Sequence, residues 1–394
     1  MATEAVIVDV IRTPSGRGKP GGALSDIHPA DLLAGVLAEL VHRNGLDPAL
    51  VDDVIGGCVT QAGEQAGNIT RTAVLSAGFP ESVPAVTIDR QCGSSQQAAA
   101  FAAQGVISGA YDIAIACGVE SMSRAPMGSN VGGASIGGAL LTRRYPDGLV
   151  NQGVAAELIA EQWGFERSEL DDFAARSHAL AAEAASSGAF DGELVAVPTP
   201  DSGSVTADET IRATTAEALA GLKPSFRTDA LASRFPQLDW RITPGNSSPL
   251  TDGASAALIM SAEAAGRLGL RARARFHSFA VAGSDPLLML TGVLPATRKV
   301  LDRSGLRLDE IDAYEVNEAF APIPLLWQRE FDTEPAKLNP HGGAIALGHA
   351  LGSSGTRLLA TLLSELEASG GRYGLQTMCE GGGTANATII EVLR

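Results

Sequence analysis

Strand-like and helix-like segments alternate along this chain in an order that is used twice. In the first run, strand patterns at 5–11, 53–59, 83–89 and 111–117 are interleaved with helical patterns at 29–44, 68–77 and after Cys92. In the second, strand patterns at 274–281, 312–316, near Leu338, 374–379 and 387–392 are interleaved with helices at 295–304, 320–331 and 355–368. Alternation of this kind asks for parallel-rich sheets covered by helices. The echo reaches the letters: YDIAIACGVE at 111–120 answers YGLQTMCEGG at 373–382. The reading is an α/β chain of two similar halves.

Between the halves the texture changes. GSNVGGASIGG (128–138) reads as a mobile glycine-rich loop, and 154–187 reads as helical, with an N-cap at Ser168 and a stop at Gly188. Residues 252–262 look like a further buried strand that closes the first half. The expected organisation is therefore 1–118 plus 250–270 for one half, 119–249 for an inserted loop domain, and 271–394 for the other half. Such an insertion suits a ligand-binding flap.

At 394 residues the chain exceeds one ordinary core. Its net charge of −16 argues against a nucleic-acid partner, which would want a basic face. No apolar run is long enough to span a membrane, and the start lacks a signal-like pattern. Cys58, Cys92, Cys117 and Cys379 show no CxxC spacing, so no metal site is expected, and the default setting is the cytoplasm with reduced thiols.

Chemistry concentrates in a few segments. Cys92 lies where a β-branched run ends and an Ala-rich helix begins, followed by small residues. A helix N-terminus lowers a thiol pKa and stabilises an oxyanion; an inert core cysteine fits the same position. NEAF (317–320) follows a strand, so Asn317 is a ligand contact or an ordinary helix N-cap. HGGAIALGHALGSSG (341–355) places His349 among small residues, as a base or oxyanion donor, with His341 as its competitor. MCEGGGTAN (378–386) delivers Cys379 into three glycines, and GNSSPLTDGAS (245–255) is a turn-rich loop with Ser247 and Ser248. Two thiols, a histidine and an asparagine are the parts of acyl transfer through a thioester.

QCGSS (91–95), CGVESMS (117–123), SSPLTDGA (247–254), NEAF, GGAIALGH (342–349) and CEGGG (379–383) together resemble the thiolase family over the whole chain. The resemblance implies a five-layer αβαβα fold of two similar halves with an inserted loop domain. It implies Cys92 as nucleophile, His349 as its base, Cys379 as the acid/base at carbon, and Asn317 holding a water in one oxyanion hole. The N–H groups of Cys92 and Gly381 would form the other hole, and Ser248 would touch pantetheine. The implied reaction is reversible, ping-pong cleavage of a 3-oxoacyl-CoA, with coenzyme A as co-substrate and no bound cofactor or metal. A homodimer or homotetramer is implied as well.

There are departures from the family pattern. Ala350 replaces the usual proline after His349, and Thr384–Ala385 follow CEGGG where many members have a further glycine. Asn151–Gln152 stand where short-chain members have His–Met, a pair that closes the acyl pocket. This resembles actinobacterial degradative enzymes and implies a medium, long or bulky acyl group. An acetyl-CoA acetyltransferase is the alternative. A decarboxylating ketoacyl synthase would need a second histidine, and a non-catalytic lipid or sterol carrier would not need all three of Cys92, His349 and Cys379. Lys223, Arg227 and Arg234 are the candidates for the phosphates of coenzyme A, or simply a solvated basic face.

Overall fold

The computed structural model describes residues 3–200 and 203–394. In the first half, the strands across the sheet are Ala85–Ile88, Asp53–Gly57, Ile113–Ser121, Thr251–Ser261 and Ala5–Arg12. The first three are parallel, and the last two pair antiparallel. In the second half, Ala313–Val316, Tyr373–Glu380, Thr384–Val392 and Ala274–Gly283 repeat the same pattern of pairings. The strand expected near Leu338 is reduced to a single parallel bridge to Tyr314. The two sheets meet edge to edge through Val6–Arg275 and Ile7–Ala274. The letter echo marks Ile113–Ser121 and Tyr373–Glu380, which hold the same place in the two sheets.

Helices Pro29–Arg43 and Ile69–Ser76 cover the outer face of the first sheet, and Val293–Ser304 and Pro322–Phe331 cover that of the second. Helices Ser94–Ser108 and Ser354–Ser369 lie between the sheets and against each other. The order of layers is αβαβα. The central strands are buried along their whole length, as sheets covered on both faces require.

The middle layer is thin because its residues are small. Ala98, Ala99, Ala102 and Ala103 of one helix pack with Leu359, Leu362, Leu363 and Leu366 of the other. At the helix starts, backbone meets backbone. A Cβ on Gly352 would stand 2.5 Å from the Gly57 carbonyl oxygen and 2.6 Å from that of Val119. A Cβ on Gly57 would stand 2.6 Å from the Ser95 nitrogen. Only glycine lets the two halves close here.

The inserted segment departs from the expected pattern. The helical stretch 154–187 is two helices, Gln152–Gln162 and Arg167–Ser186. They are separated at Gly164, whose φ of +66° ends the first. The second starts from Glu166, not from Ser168. Residues 128–138 contain one short turn of 3-10 helix, Ser129–Val131. Among the described residues no helix is long and apolar enough to cross a membrane.

Gly352→Ala should cost about 1–3 kcal/mol of stability or more, because the atoms in the way are backbone. Gly35→Ala, inside helix Pro29–Arg43 with nothing within 4 Å of the new methyl, should add about 0.5–1 kcal/mol. Urea unfolding of the two variants checks both signs.

Candidate active site

The starts of the two middle helices, the end of strand Tyr373–Glu380 and the turn after Ala313–Val316 come to one place. Cys92 immediately precedes the helix N-cap, Gly93. The chain enters through Gln91, whose φ of +47° is rare for a residue with a side chain. Turn bonds from Gly93 N–H to the Arg90 carbonyl and from Ser94 N–H to the Gln91 carbonyl hold that entry.

His349 sits between the short helix Ala344–Leu347 and the start of Ser354–Ser369. Its backbone N–H donates to Thr251 Oγ1 at 2.9 Å. Its Nδ1 lies 2.7 Å from Ser354 Oγ, and that hydroxyl donates to the Ala350 carbonyl at 2.9 Å. Nδ1 is thus tied to the helix start through Ser354, which leaves Nε2 directed toward Asn317. Asn317 Nδ2 lies 3.4 Å from Nε2. Helix Pro322–Phe331 begins too late for Asn317 to cap it, which removes the N-cap reading. Asn317 is 1 % exposed, and its Oδ1 has no partner among the described residues.

Desolvation sets the charge states. The expected lowering of the Cys92 thiol by the helix terminus does not occur. Burial and the nearby Glu380 push this thiol up to about 12, against hydrogen bonds from Gln152 and its own N–H that pull it down. Burial likewise holds Cys379 well above the usual thiol range, and negative charge on the nearby Cys92 or Glu380 would push it the same way. Burial, assisted by the positive Arg357, brings His349 down to about 3. The resting site therefore holds two thiols and a neutral imidazole.

A cavity of about 700 Å³ opens above Cys92. Cys92, Asn151, Gln152 and Gly381 line it, together with Val59, Met127, Ile136, Val150, Phe226 and Met289. His349, Cys379 and Asn317 are not part of its wall; they are buried. Asn151 also has a local task, its side chain capping helix Gln152–Gln162 through the Val154 N–H at 3.0 Å.

Other sequence candidates lie elsewhere. Ser248 Oγ donates to the Ala319 carbonyl at 3.2 Å and does not line the cavity. Lys223 is exposed and outside it; Arg227 faces Asp229, and Arg234 donates to the Gly148 carbonyl. His341 lies 3.0 Å from Glu365 and packs edge-on to Phe190, away from the thiols.

Two family models together match nearly the whole chain: the thiolase N-terminal domain over residues 5–263 and the thiolase C-terminal domain over residues 270–392. The chain belongs to the thiolase family. It is similar to the steroid 3-ketoacyl-CoA thiolase FadA6 of Mycobacterium tuberculosis, with 48 % identity over 99 % of this chain and 95 % of that protein. A 3-ketoacyl-CoA thiolase of Erwinia tasmaniensis is 43 % identical over 98 % of this chain and 99 % of its own length. The crystal structure of the Bacillus anthracis acetyl-CoA acetyltransferase superposes with a TM-score of 0.88 at 38 % identity, covering 100 % of this chain and 99 % of that one. This thiolase is accordingly an acyltransferase.

Several residues that shape the thiolase site escape a reading of the sequence. Ser354 and Thr251 orient His349. Glu318 accepts from Ser177, Asn339 and the Ile345 N–H, and so anchors the glycine-rich loop that carries His349. Glu120 accepts from the N–H groups of Val59, Thr60 and Gly352 and from Gln65. Glu318 belongs to NEAF and Glu120 to CGVES, so the motifs flagged their neighbourhood without their task.

His349 also makes a pH prediction. Its pKa is lowered in the folded state, so below about 6.5 the unfolded chain takes up a proton that the folded site refuses until about pH 3. Its contribution to stability is complete above that window and falls by about 1.4 kcal/mol per pH unit as pH drops through it. His349→Asn should flatten the decline in unfolding free energy between roughly pH 6 and 4. An unchanged slope would contradict the neutral, buried imidazole.

Proposed function

We propose that this thiolase cleaves 3-oxoacyl-CoA with coenzyme A, giving a shortened acyl-CoA and acetyl-CoA. The observation that carries the reading is the pairing of two neighbouring buried thiols with a buried neutral imidazole whose Nδ1 bonds Ser354 and whose Nε2 faces Asn317. In the first step Cys92 gives its proton to His349 Nε2 and its sulfur attacks the C3 carbonyl. Bond C2–C3 breaks, and the electron pair on C2 takes the proton of Cys379, releasing acetyl-CoA. In the second step coenzyme A returns a proton to the Cys379 thiolate and its sulfur attacks the acyl-Cys92 thioester. Acyl-CoA leaves, and Cys92 recovers its proton from His349. All atoms and charges return to the start, so the cycle runs in either direction.

Asn317, with one buried oxygen unpartnered beside His349, fits the holding of a water at the substrate oxygen. Gly381 lines the cavity with Cys92, consistent with their N–H groups as the second oxyanion site. Ser248 and Lys223, both outside the cavity wall, remain as contacts for the coenzyme A tail. The cavity wall is mostly apolar and opens beside Asn151–Gln152, which supports a medium, long or bulky acyl group. A cytoplasmic homo-oligomer completes this reading.

The relatives at higher identity are 3-ketoacyl-CoA thiolases, which favours this over acetoacetyl-CoA synthesis. Thiolysis assayed from acetoacetyl-CoA to long and steroidal 3-oxoacyl-CoA esters should show kcat/KM rising with acyl size. Activity confined to acetoacetyl-CoA would overturn the pocket reading. Cys92→Ser should lose at least about 10⁴-fold in kcat with the fold intact. Cys379→Ser should still become acylated on Cys92, detected by mass increase, while losing carbon–carbon cleavage.

A further inference from the structure

Glu380 follows Cys379, and alternation along the strand turns it to the other face. There it belongs to a polar row across the hairpin, where Glu380 pairs with Thr384 and Met378 with Asn386. The row presses on the start of helix Ser94–Ser108. A Cβ on Gly93 would collide with Glu380 Oε1 and stand 2.8 Å from Asn386 Nδ2. Glu380 and Asn386 thus both pack on the residue next to Cys92.

Glu380 is fully buried. Its Oε2 accepts from the Thr384 hydroxyl at 2.7 Å, and Asn386 Nδ2 donates to the Gly93 carbonyl at 3.1 Å. The remaining oxygen of each, Glu380 Oε1 and Asn386 Oδ1, is buried without a partner among the described residues. Two unpartnered acceptors flanking one glycine are costly in a dry site. A proton on Oε1 removes the buried negative charge that this packing leaves without a donor.

We propose that Glu380 is a positioning residue for the two thiols: packed against Gly93 it works as the neutral acid, and its ionisation slows acyl transfer by placing a negative charge beside Cys92 and Cys379. This rests on Cys92 being the acylated nucleophile. The groups facing Glu380 are Asp89 and Arg90 before the helix, Cys92 at its start, Cys379 on its own strand, and Thr384 and Asn386 across the hairpin. Burial raises the carboxyl to about 7; Thr384 and Arg90 pull it down, and Asp89 pushes it up. Attack on a carbonyl builds negative charge on oxygen as the thiol loses its proton. Neutral Glu380 leaves that charge unopposed, and carboxylate opposes it. Acylation should therefore fall as pH rises through about 7 and beyond.

The test is the rate of acyl-Cys92 formation, followed by intact-protein mass spectrometry between pH 6 and 9, in the parent protein, Glu380→Gln and Thr384→Val. Glu380→Gln keeps the shape and cannot ionise, so it should lose the alkaline decline and exceed the parent by about tenfold one pH unit above the carboxyl's midpoint. Thr384→Val removes the hydroxyl that steadies the carboxylate, so the decline should move to higher pH; this variant decides if Glu380→Gln does not fold. Superimposable profiles overturn the proposal, as does a Glu380→Gln profile lowered equally at every pH. Absence of any acyl group on Cys92 in the parent overturns the nucleophile reading itself, and this proposal with it.

Discussion

The contact on which the structure depends is the one between bare backbones at the middle of the molecule. Gly57 and Gly118 of one half lie against Gly352 of the other, and Gly355 lies against Gln96. With no side chains between them, the two inner helices start side by side, and the residues just before them, Cys92 and His349, enter one site. Glu120 stitches the same seam by holding N–H groups from both halves, at Val59 and Thr60 on one side and Gly352 on the other. Neither half alone contains the chemistry.

Burial is the second organising force. It removes water from the thiols, the imidazole and several carboxylates, and it decides their protonation more strongly than any single neighbour. The same dryness fixes positions: Ser354 and Asn317 hold the His349 ring from its two nitrogens. Electrostatic support for a developing oxyanion is strongest where such groups are already oriented and shielded from solvent.

Much of this was legible in the residues. Strand–helix alternation, the doubled order and the small-residue runs around Cys92, His349 and Cys379 report local constraints, and local constraints are written in sequence. The break at Gly164 was missed because a single glycine amid good helix formers is tolerated as often as it terminates. The thiol shift was misjudged because a helix terminus is visible in the letters and desolvation is not. The partners of Thr251 and Glu318 come from distant segments, and the turn that brings Ser354 onto the His349 ring five residues away leaves no mark in the letters. Ser248 comes from the resemblance and Lys223 from its charge in the inserted loops, and the structure keeps both outside the cavity wall.

A raised thiol also bears on chemical survival. Peroxides and adventitious electrophiles react with thiolate, and Cys92 at rest holds almost none. The same desolvation that raises this thiol should slow its oxidation relative to an exposed, low-pKa cysteine. In the proposed mechanism reactivity is released only where a carbonyl lies beside the sulfur and His349 takes the proton, so the substrate arms the enzyme.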